Sequence, residues 1–316
     1  MKLKHFVFPE KNIYCIKLKI RGRVSLSYNL DELSVNEILT KINNEDKIVA
    51  SVVKNAIPQI GPVIEHALLT IKHGGKIVYM GSGTSGRLGI LDASECPPTF
   101  GVSSDLFKGL IAGGDKAIKF AVEDAEDDIE SGGEDVERNL TKNDFLITIA
   151  ASGRTPYVIG GIIKAKELGI QTAGIVCNAD SKISSIVDFP IELLVGEEII
   201  NGSTRMKAGT AQKLVLNMIS TTSMIKLGKV YRNYMVDVQA SNQKLRDRTV
   251  DIIQELAGTD ERTAKQALEL CDGYLKAAVL VSKYNMNKTD VIHILNKFQD
   301  NLGKAIKYID SKNAVN

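Results

Sequence analysis

Residues 76–101 read KIVYMGSGTSGRLGILDASECPPTFG. A short run rich in β-formers (76–80) enters Gly81-Ser82-Gly83-Thr84-Ser85-Gly86-Arg87, and helical spacing follows over 85–93. The same rhythm recurs downstream. Apolar runs at 106–112, 145–150, 172–177 and 191–195 alternate with helical stretches at 116–130, 157–168 and 181–186. This alternation predicts an α/β fold: a doubly wound, mainly parallel sheet of five strands, with helices on both faces. The last run leads into a long helix expected over 203–227.

Outside that centre the pattern changes. Residues 1–28 carry no clear periodicity. Asp31, Ser34 and Asn43 are candidate helix starts, and Val49, Val53, Ile57, Ile60 and Ile64 continue at helical spacing toward Gly74-Gly75. Pro58 and Pro62 are expected to start or bend parts of that stretch. Beyond 231 only helical spacing is visible, as in Val250-Ile253-Leu256 and Val291-Leu295-Phe298. Gly258-Thr259-Asp260 marks a break and a new cap there. The expected division is an N-terminal segment over 1–66, irregular then helical, a central domain over 67–230, and a helical C-terminal subdomain over 231–316.

Bulk properties narrow the function. Lys and Arg number 40 against 38 Asp and Glu, so no general attraction to nucleic acid or an anionic membrane is expected. The absence of Trp and an aromatic content of 5% argue against a base-stacking surface. Cys15, Cys96, Cys177 and Cys271 are widely spaced with no CxxC pair, which favours a reducing, cytoplasmic setting over a disulfide scaffold. No apolar run approaches the roughly 18 residues of a membrane span. The N-terminus mixes Lys and Arg among its apolar residues and lacks the apolar core of a signal peptide.

Open α/β sheets bind ligands at the carboxyl ends of their strands. Three such ends carry related loops: Gly81–Arg87, then Ala151-Ser152-Gly153-Arg154-Thr155-Pro156, then Asn201-Gly202-Ser203-Thr204-Arg205. Each sets Ser or Thr beside Gly and Arg. Glycine lets backbone approach an anion, hydroxyls donate, and a following helix offers free N–H groups and a positive dipole end. A phosphate monoester suits such a pocket. Gly81, Gly83 and Gly86 also match G-x-G-x-x-G, yet no acidic residue ends the second run where a dinucleotide site wants one. The bland alternative is that these glycines only make tight turns.

Two glutamates stand out. Glu95 follows the first loop, on a segment stiffened by Pro97 and Pro98 near the ligand edge. Glu126 extends the row Ile118-Val122-Glu126 on the apolar face of the helix expected over 116–130, where a leucine would be ordinary. The histidines His5, His66, His73 and His293 fall outside the strand-end loops, and no spacing suggests a metal. Cys96 has no nearby histidine to activate it and reads as a small buried side chain.

Residues 76–101, with 110–114 (LIAGG), 121–127 (AVEDAED), 150–157 (AASGRTPY) and 202–221 (GSTRMKAGTAQKLVLNMIST), resemble the signature of the N-acetylmuramic acid 6-phosphate etherases. The likeness runs from about residue 30 to the C-terminus. Residues 1–28 depart from it, lacking the Thr-Glu-x-Arg-Asn-like segment usual before Asp31-Glu32-Leu33-Ser34. The resemblance implies a sugar isomerase (SIS) core in a homodimer with no cofactor and no metal. It implies elimination of D-lactate from N-acetylmuramic acid 6-phosphate and hydration to N-acetylglucosamine 6-phosphate. It also assigns Glu95 as acid and Glu126 as base; the residues alone do not order the two. Ser82, Thr84, Ser85, Ser152 and Thr155 are the candidate phosphate ligands, with Arg154 adding a charge-assisted contact.

Two other functions fit a related fold. One is a non-catalytic phosphosugar sensor like the glucokinase regulatory protein, which would tolerate loss of both glutamates. The other is an aldose–ketose isomerase, which also needs a base near C2.

Overall fold

The structure, a computed structural model, describes residues 29–237 and 243–314. The irregular N-terminus expected over 1–28 lies outside the described residues. The first long element is a single helix, α1 (Val35–Lys72). Ser34 starts it through a reciprocal cap: its hydroxyl accepts from the Glu37 N–H while the Glu37 side chain takes the Ser34 N–H. Pro58 and Pro62 lie inside this helix rather than dividing it. Burial begins only at Val49 and then follows Val53, Ala56, Ile60, Val63 and Ala67, one stripe at helical spacing.

A five-stranded parallel sheet comes next, made of β1 (Ile77–Gly81), β2 (Phe107–Ile111), β3 (Phe145–Ala150), β4 (Gln171–Val176) and β5 (Phe189–Glu192). Its order is β2-β1-β3-β4-β5, and every pairing is parallel. Between the strands lie α2 (Gly83–Phe100), the single turn α3 (Lys116–Lys119), α4 (Ile129–Asn139) and α5 (Pro156–Glu167). After β5 comes α6 (Lys207–Lys226). One face of the sheet packs α1, α2 and α6 around Tyr79, Phe107, Ile147 and Ile191. The other packs α4 and α5 around Val78, Met80, Leu146 and Ile162. The chain leaves β1 toward β2 on one side and returns to β3 on the other, so the switch of direction falls between β1 and β3. Open sheets form their ligand crevice at such a point.

Several local expectations are corrected. The helix expected over 116–130 does not form. After α3 the chain is extended at Phe120, takes a positive φ of 61° at Asp124, and makes one 3-10 turn at Ala125–Asp127. Arg87 gives a reason. Its guanidinium donates to the carbonyls of Ile118 (3.0 Å) and Phe120 (3.2 Å), which a continuing helix would have bonded to residues 122 and 124. Helix α4 begins only at Ile129 and runs through Ser131-Gly132-Gly133. Gly132 serves packing there: a Cβ would lie 1.9 Å from the Tyr157 carbonyl oxygen of α5. Residues 181–186 form turns, not a helix, and Ser203 and Thr204 precede α6 rather than belong to it.

The C-terminal part is helical: α7 (Gln243–Ala257), α8 (Glu261–Leu270), α9 (Leu275–Tyr284), α10 (Lys288–Lys297) and α11 (Leu302–Asn313). These helices bury a separate cluster that includes Ile253, Val279, Val291 and Leu302. Asp260 caps α8 as the sequence suggests. Strands were not expected here, yet Tyr234–Met235 pairs antiparallel with Val230–Tyr231, two residues each, around Arg232 at φ 55°.

Candidate active site

Gly81 ends β1 beside both neighbours, in register with Ile111 of β2 and Ile149 of β3. The loop then turns so tightly that a Cβ at Gly81 would sit 2.8 Å from the Gly86 nitrogen. Gly89 brings α2 down onto β1, since a Cβ there would meet that of Tyr79 at 2.9 Å. Ser82 precedes α2 but its side chain makes no cap; the first N–H to bond back is that of Gly86, to the Ser82 carbonyl. The N–H groups of Gly83, Thr84 and Ser85 therefore point out of the helix end with no intrahelical partner. That is a ready place for an anion.

The second loop leaves β3, the strand next to β1. Gly153 has φ 66° and packs so closely that a Cβ would lie 2.3 Å from the Ser181 Oγ. Thr155 precedes α5 without capping it, and Pro156 occupies the first helical position. The first N–H to bond back is that of Ile159, to Thr155. Ser152 and Thr155 are half-buried and Arg154 is exposed. The Ser152 Oγ accepts weakly from the Arg154 N–H at 3.4 Å. Ser82, Thr84, Ser152, Arg154 and Thr155 thus belong to neighbouring loops at the switch point.

The third loop is different. The carboxylate of Glu198, only 9% exposed, accepts from the N–H groups of Lys207 (3.0 Å) and Ala208 (2.9 Å). The Gly209 N–H bonds to the Thr204 carbonyl. The N-terminus of α6 is therefore closed by the chain's own carboxylate, and the free N–H groups expected after 201–205 are absent. The Lys207 side chain is buried too, paired with Glu45 of α1 at 2.6 Å.

Glu126 lies exposed on its 3-10 turn, not on an apolar helix face. The fold nonetheless brings it to the first loop, where the Ser82 hydroxyl donates to its carboxylate at 3.2 Å. Glu95 does not join them within one chain. Helix α2 runs unbroken through Pro97 and Pro98 to Gly101, whose φ of 63° and N–H bond to Pro97 close it. Glu95 stands twelve residues beyond Gly83, about 18 Å along the axis, and is exposed. The expectation that it sits at the ligand edge of its own sheet is corrected accordingly.

Three interior residues escaped the sequence reading. Asp92 is buried between β1, α2 and α6, accepting from Tyr79 (3.1 Å), Asn217 (2.7 Å) and Ser220 (3.1 Å). Burial holds its carboxyl above the ordinary value, against these hydrogen bonds. Gln212 of α6 is fully buried and receives the Ser85 hydroxyl at 2.8 Å. Glu198 is the third. A polar residue on an otherwise apolar helical stripe was the available signal for Asp92 and Gln212. Cys96 is buried, and burial, then Asp92, raise its thiol to about 12, which makes it inert as a nucleophile at neutral pH. Among the described residues no group of three or more His, Cys, Asp and Glu is placed to hold a metal ion. No described helix is long and apolar enough to cross a membrane.

Residues 59–166 match the glucokinase regulatory protein N-terminal SIS domain, 119–222 the SIS domain, and 232–290 the C-terminal lid domain of glucokinase regulatory protein. An N-acetylmuramic acid 6-phosphate etherase of Caldanaerobacter subterraneus subsp. tengcongensis is 50% identical over 93% of this chain and 96% of its own. One from Histophilus somni is 48% identical over 89% of this chain and 93% of its own. One from Lactococcus lactis subsp. cremoris is 52% identical over 80% of this chain and 85% of its own. With half its residues shared along nearly the whole length, and a SIS fold whose switch point carries the family's loops, this chain belongs to the N-acetylmuramic acid 6-phosphate etherase family.

Proposed function

We propose that this chain cleaves the D-lactyl ether of N-acetylmuramic acid 6-phosphate, as a carbon–oxygen lyase of cell-wall amino sugar recycling. The observation that carries this reading is the Glu126 carboxylate hydrogen-bonded to Ser82 at the mouth of an uncapped helix N-terminus. That arrangement supports a base acting beside a phosphate cradle. In the open-chain sugar the C2 proton is acidified by the C1 aldehyde. Glu126 removes it, the C3–O bond to lactate breaks, and Glu95 protonates the departing oxygen. Water then adds across the C2–C3 double bond, its oxygen to C3 and a proton to C2. The products are N-acetylglucosamine 6-phosphate and D-lactate. Ser82, Thr84, Ser85, Ser152 and Thr155 hold the 6-phosphate with Arg154, and the reaction uses no cofactor.

A hexose phosphate does not bridge the roughly 18 Å that α2 sets between its N-terminus and Glu95. The homodimer supplies the missing group: Glu95 of one chain faces the Glu126 site of the other. The exposed Leu91 of α2 and Met218 of α6 support burial of this face by a second copy. Each chain works as an N-terminal segment over 1–66, a phosphosugar-binding unit over 67–230 and a helical subdomain over 231–316. The setting is the cytoplasm, consistent with free thiols at Cys96, Cys177 and Cys271.

The test is D-lactate release from N-acetylmuramic acid 6-phosphate by wild type, Glu95→Gln, Glu126→Gln and an equal, re-equilibrated mixture of the two variants. Each variant alone is inactive. Half of the mixed dimers are heterodimers with one intact site of two, so about a quarter of wild-type activity returns. An inactive wild type sinks the etherase reading, and an inactive mixture sinks the shared site.

A further inference from the structure

Gln212 joins the phosphate cradle to the interior of α6 by a hydrogen bond. Its side chain is fully buried, and its Oε1 lies 2.8 Å from the Ser85 Oγ. Its Nε2 is also buried and has no partner. An amide group has nearly the same shape in either orientation, so the hydrogen bonds decide which end faces the serine. With Oε1 toward Ser85, the hydroxyl proton is spent on Gln212 and two amide N–H bonds are orphaned. With the amide turned over, Nε2 donates to the Ser85 Oγ, and one N–H and Oε1 stand unpaired in place of two N–H bonds, so one fewer donor is orphaned. The hydroxyl proton is then free to donate outward, to an anion oxygen held by the open N–H groups of Gly83, Thr84 and Ser85.

We infer that Gln212 is a positioning residue for phosphosugar binding: its amide donates to Ser85 and so aims the Ser85 hydroxyl at the phosphate. This rests on the phosphate placement proposed above and adds the residue that sets the polarity of the cradle. The relay runs from Gln212 N–H to Ser85 Oγ and from Ser85 O–H to a phosphate oxygen, each bond polarising the next. Bond to a charged acceptor strengthens the chain. Helix α6 is well placed for this, because its first turn rests on Thr84: a Cβ at Gly209 would lie 3.3 Å from the Thr84 Cγ2.

The test compares Gln212→Glu, Gln212→Met, Ser85→Ala and the Gln212→Glu/Ser85→Ala pair. Titration with N-acetylglucosamine 6-phosphate reads affinity, and D-lactate release reads KM and kcat. A glutamate has no N–H, takes the serine proton permanently and weakens binding about tenfold or more. KM rises by the same factor while kcat stays within about twofold, the mark of lost uniform binding. Gln212→Met releases the serine without aiming it and falls between. Ser85→Ala matches Gln212→Glu, and the double variant is no worse than either, because both remove one relay. Unchanged phosphosugar affinity in a folded Gln212→Glu protein overturns the inference, as do fully additive effects. Titration of wild type separates the two proposals: binding without D-lactate release spares the relay and sinks only the etherase chemistry, while no binding at all removes the relay.

Discussion

The N-termini of α2 and α6 lie against each other and follow loops of the same flavour, Gly-Ser-Gly-Thr-Ser and Gly-Ser-Thr-Arg. They end in opposite electrostatic states. At α6 the Glu198 carboxylate takes the first N–H groups. At α2 no described side chain takes them, and the nearby Glu126 binds the Ser82 hydroxyl instead. Helices α4, α8, α10 and α11 are capped by Asp or Asn, whereas α2 and α5 have no side-chain cap. The single turn α3 has no side-chain cap either, and helix α9 is uncapped but begins within the C-terminal cluster. A capped helix end is finished on folding. An uncapped pair at the switch point leaves donors for a ligand to satisfy. Loop composition alone does not distinguish the two cases, since a carboxylate nine residues upstream decides the outcome.

The largest effect that sharpens this contrast is chemical. Glu126→Gln and Glu95→Gln each lower kcat for D-lactate release by about 10²–10⁴-fold, the range for a lost general acid or base. Affinity for N-acetylglucosamine 6-phosphate stays near wild type, because neither group is needed to hold the phosphate. A weaker effect reads the cradle itself: Arg154→Ala weakens the phosphorylated sugar about 10- to 100-fold and leaves unphosphorylated N-acetylglucosamine unaffected, as titration calorimetry would record. A comparable loss for both sugars would move Arg154 away from the phosphate.

Stability measurements test the caps directly. Glu198→Ala removes a carboxylate from two N–H groups and costs about 1–2 kcal/mol in urea unfolding. Ser82→Ala removes no cap and costs less than about 0.5 kcal/mol. Equal losses would erase the difference between the two helix ends. The smallest effect concerns Asp92, midway along the contact of α2 with α6. Burial raises its folded pKa above 3.8. As pH rises, the unfolded chain therefore loses this proton first, and stability falls across the window just above pH 3.8. Above the folded pKa the loss is complete and constant. Asp92→Asn removes that contribution, so the variant loses stability more steeply on acidification through this window while staying within about 1 kcal/mol of wild type at pH 7; an unchanged acid slope in the variant would contradict this.

Much of the fold was legible because β-formers run between glycines. The run at 145–150 coincides with β3, the runs at 76–80, 106–112 and 172–177 match β1, β2 and β4 to within one residue at each end, and the run at 191–195 overlaps β5 only at 191–192. Helix bounds were less legible where tertiary contacts intervene. Ala117, Ile118, Ala121 and Val122 have helical spacing, but Arg87 takes the carbonyls that would have continued the helix. Glu126 was singled out on a helical row that does not exist, and it reaches the loop by a different route. Nothing local announces that α5 approaches α4 at Gly132. The cap by Glu198 and the Ser85–Gln212 contact were invisible for the same reason. The latter joins residues 127 apart in the chain, and no local periodicity reports such a pair.

The most direct test of the central claim is a crystal structure with N-acetylglucosamine 6-phosphate bound. The account expects phosphate oxygens about 3 Å from the N–H groups of Gly83, Thr84 and Ser85, with Ser152, Thr155 and Arg154 closing the other side, and Glu198 still on α6. A phosphate seated on the α6 N-terminus with Glu198 displaced, or one lying away from the β1–β3 crevice, would contradict it.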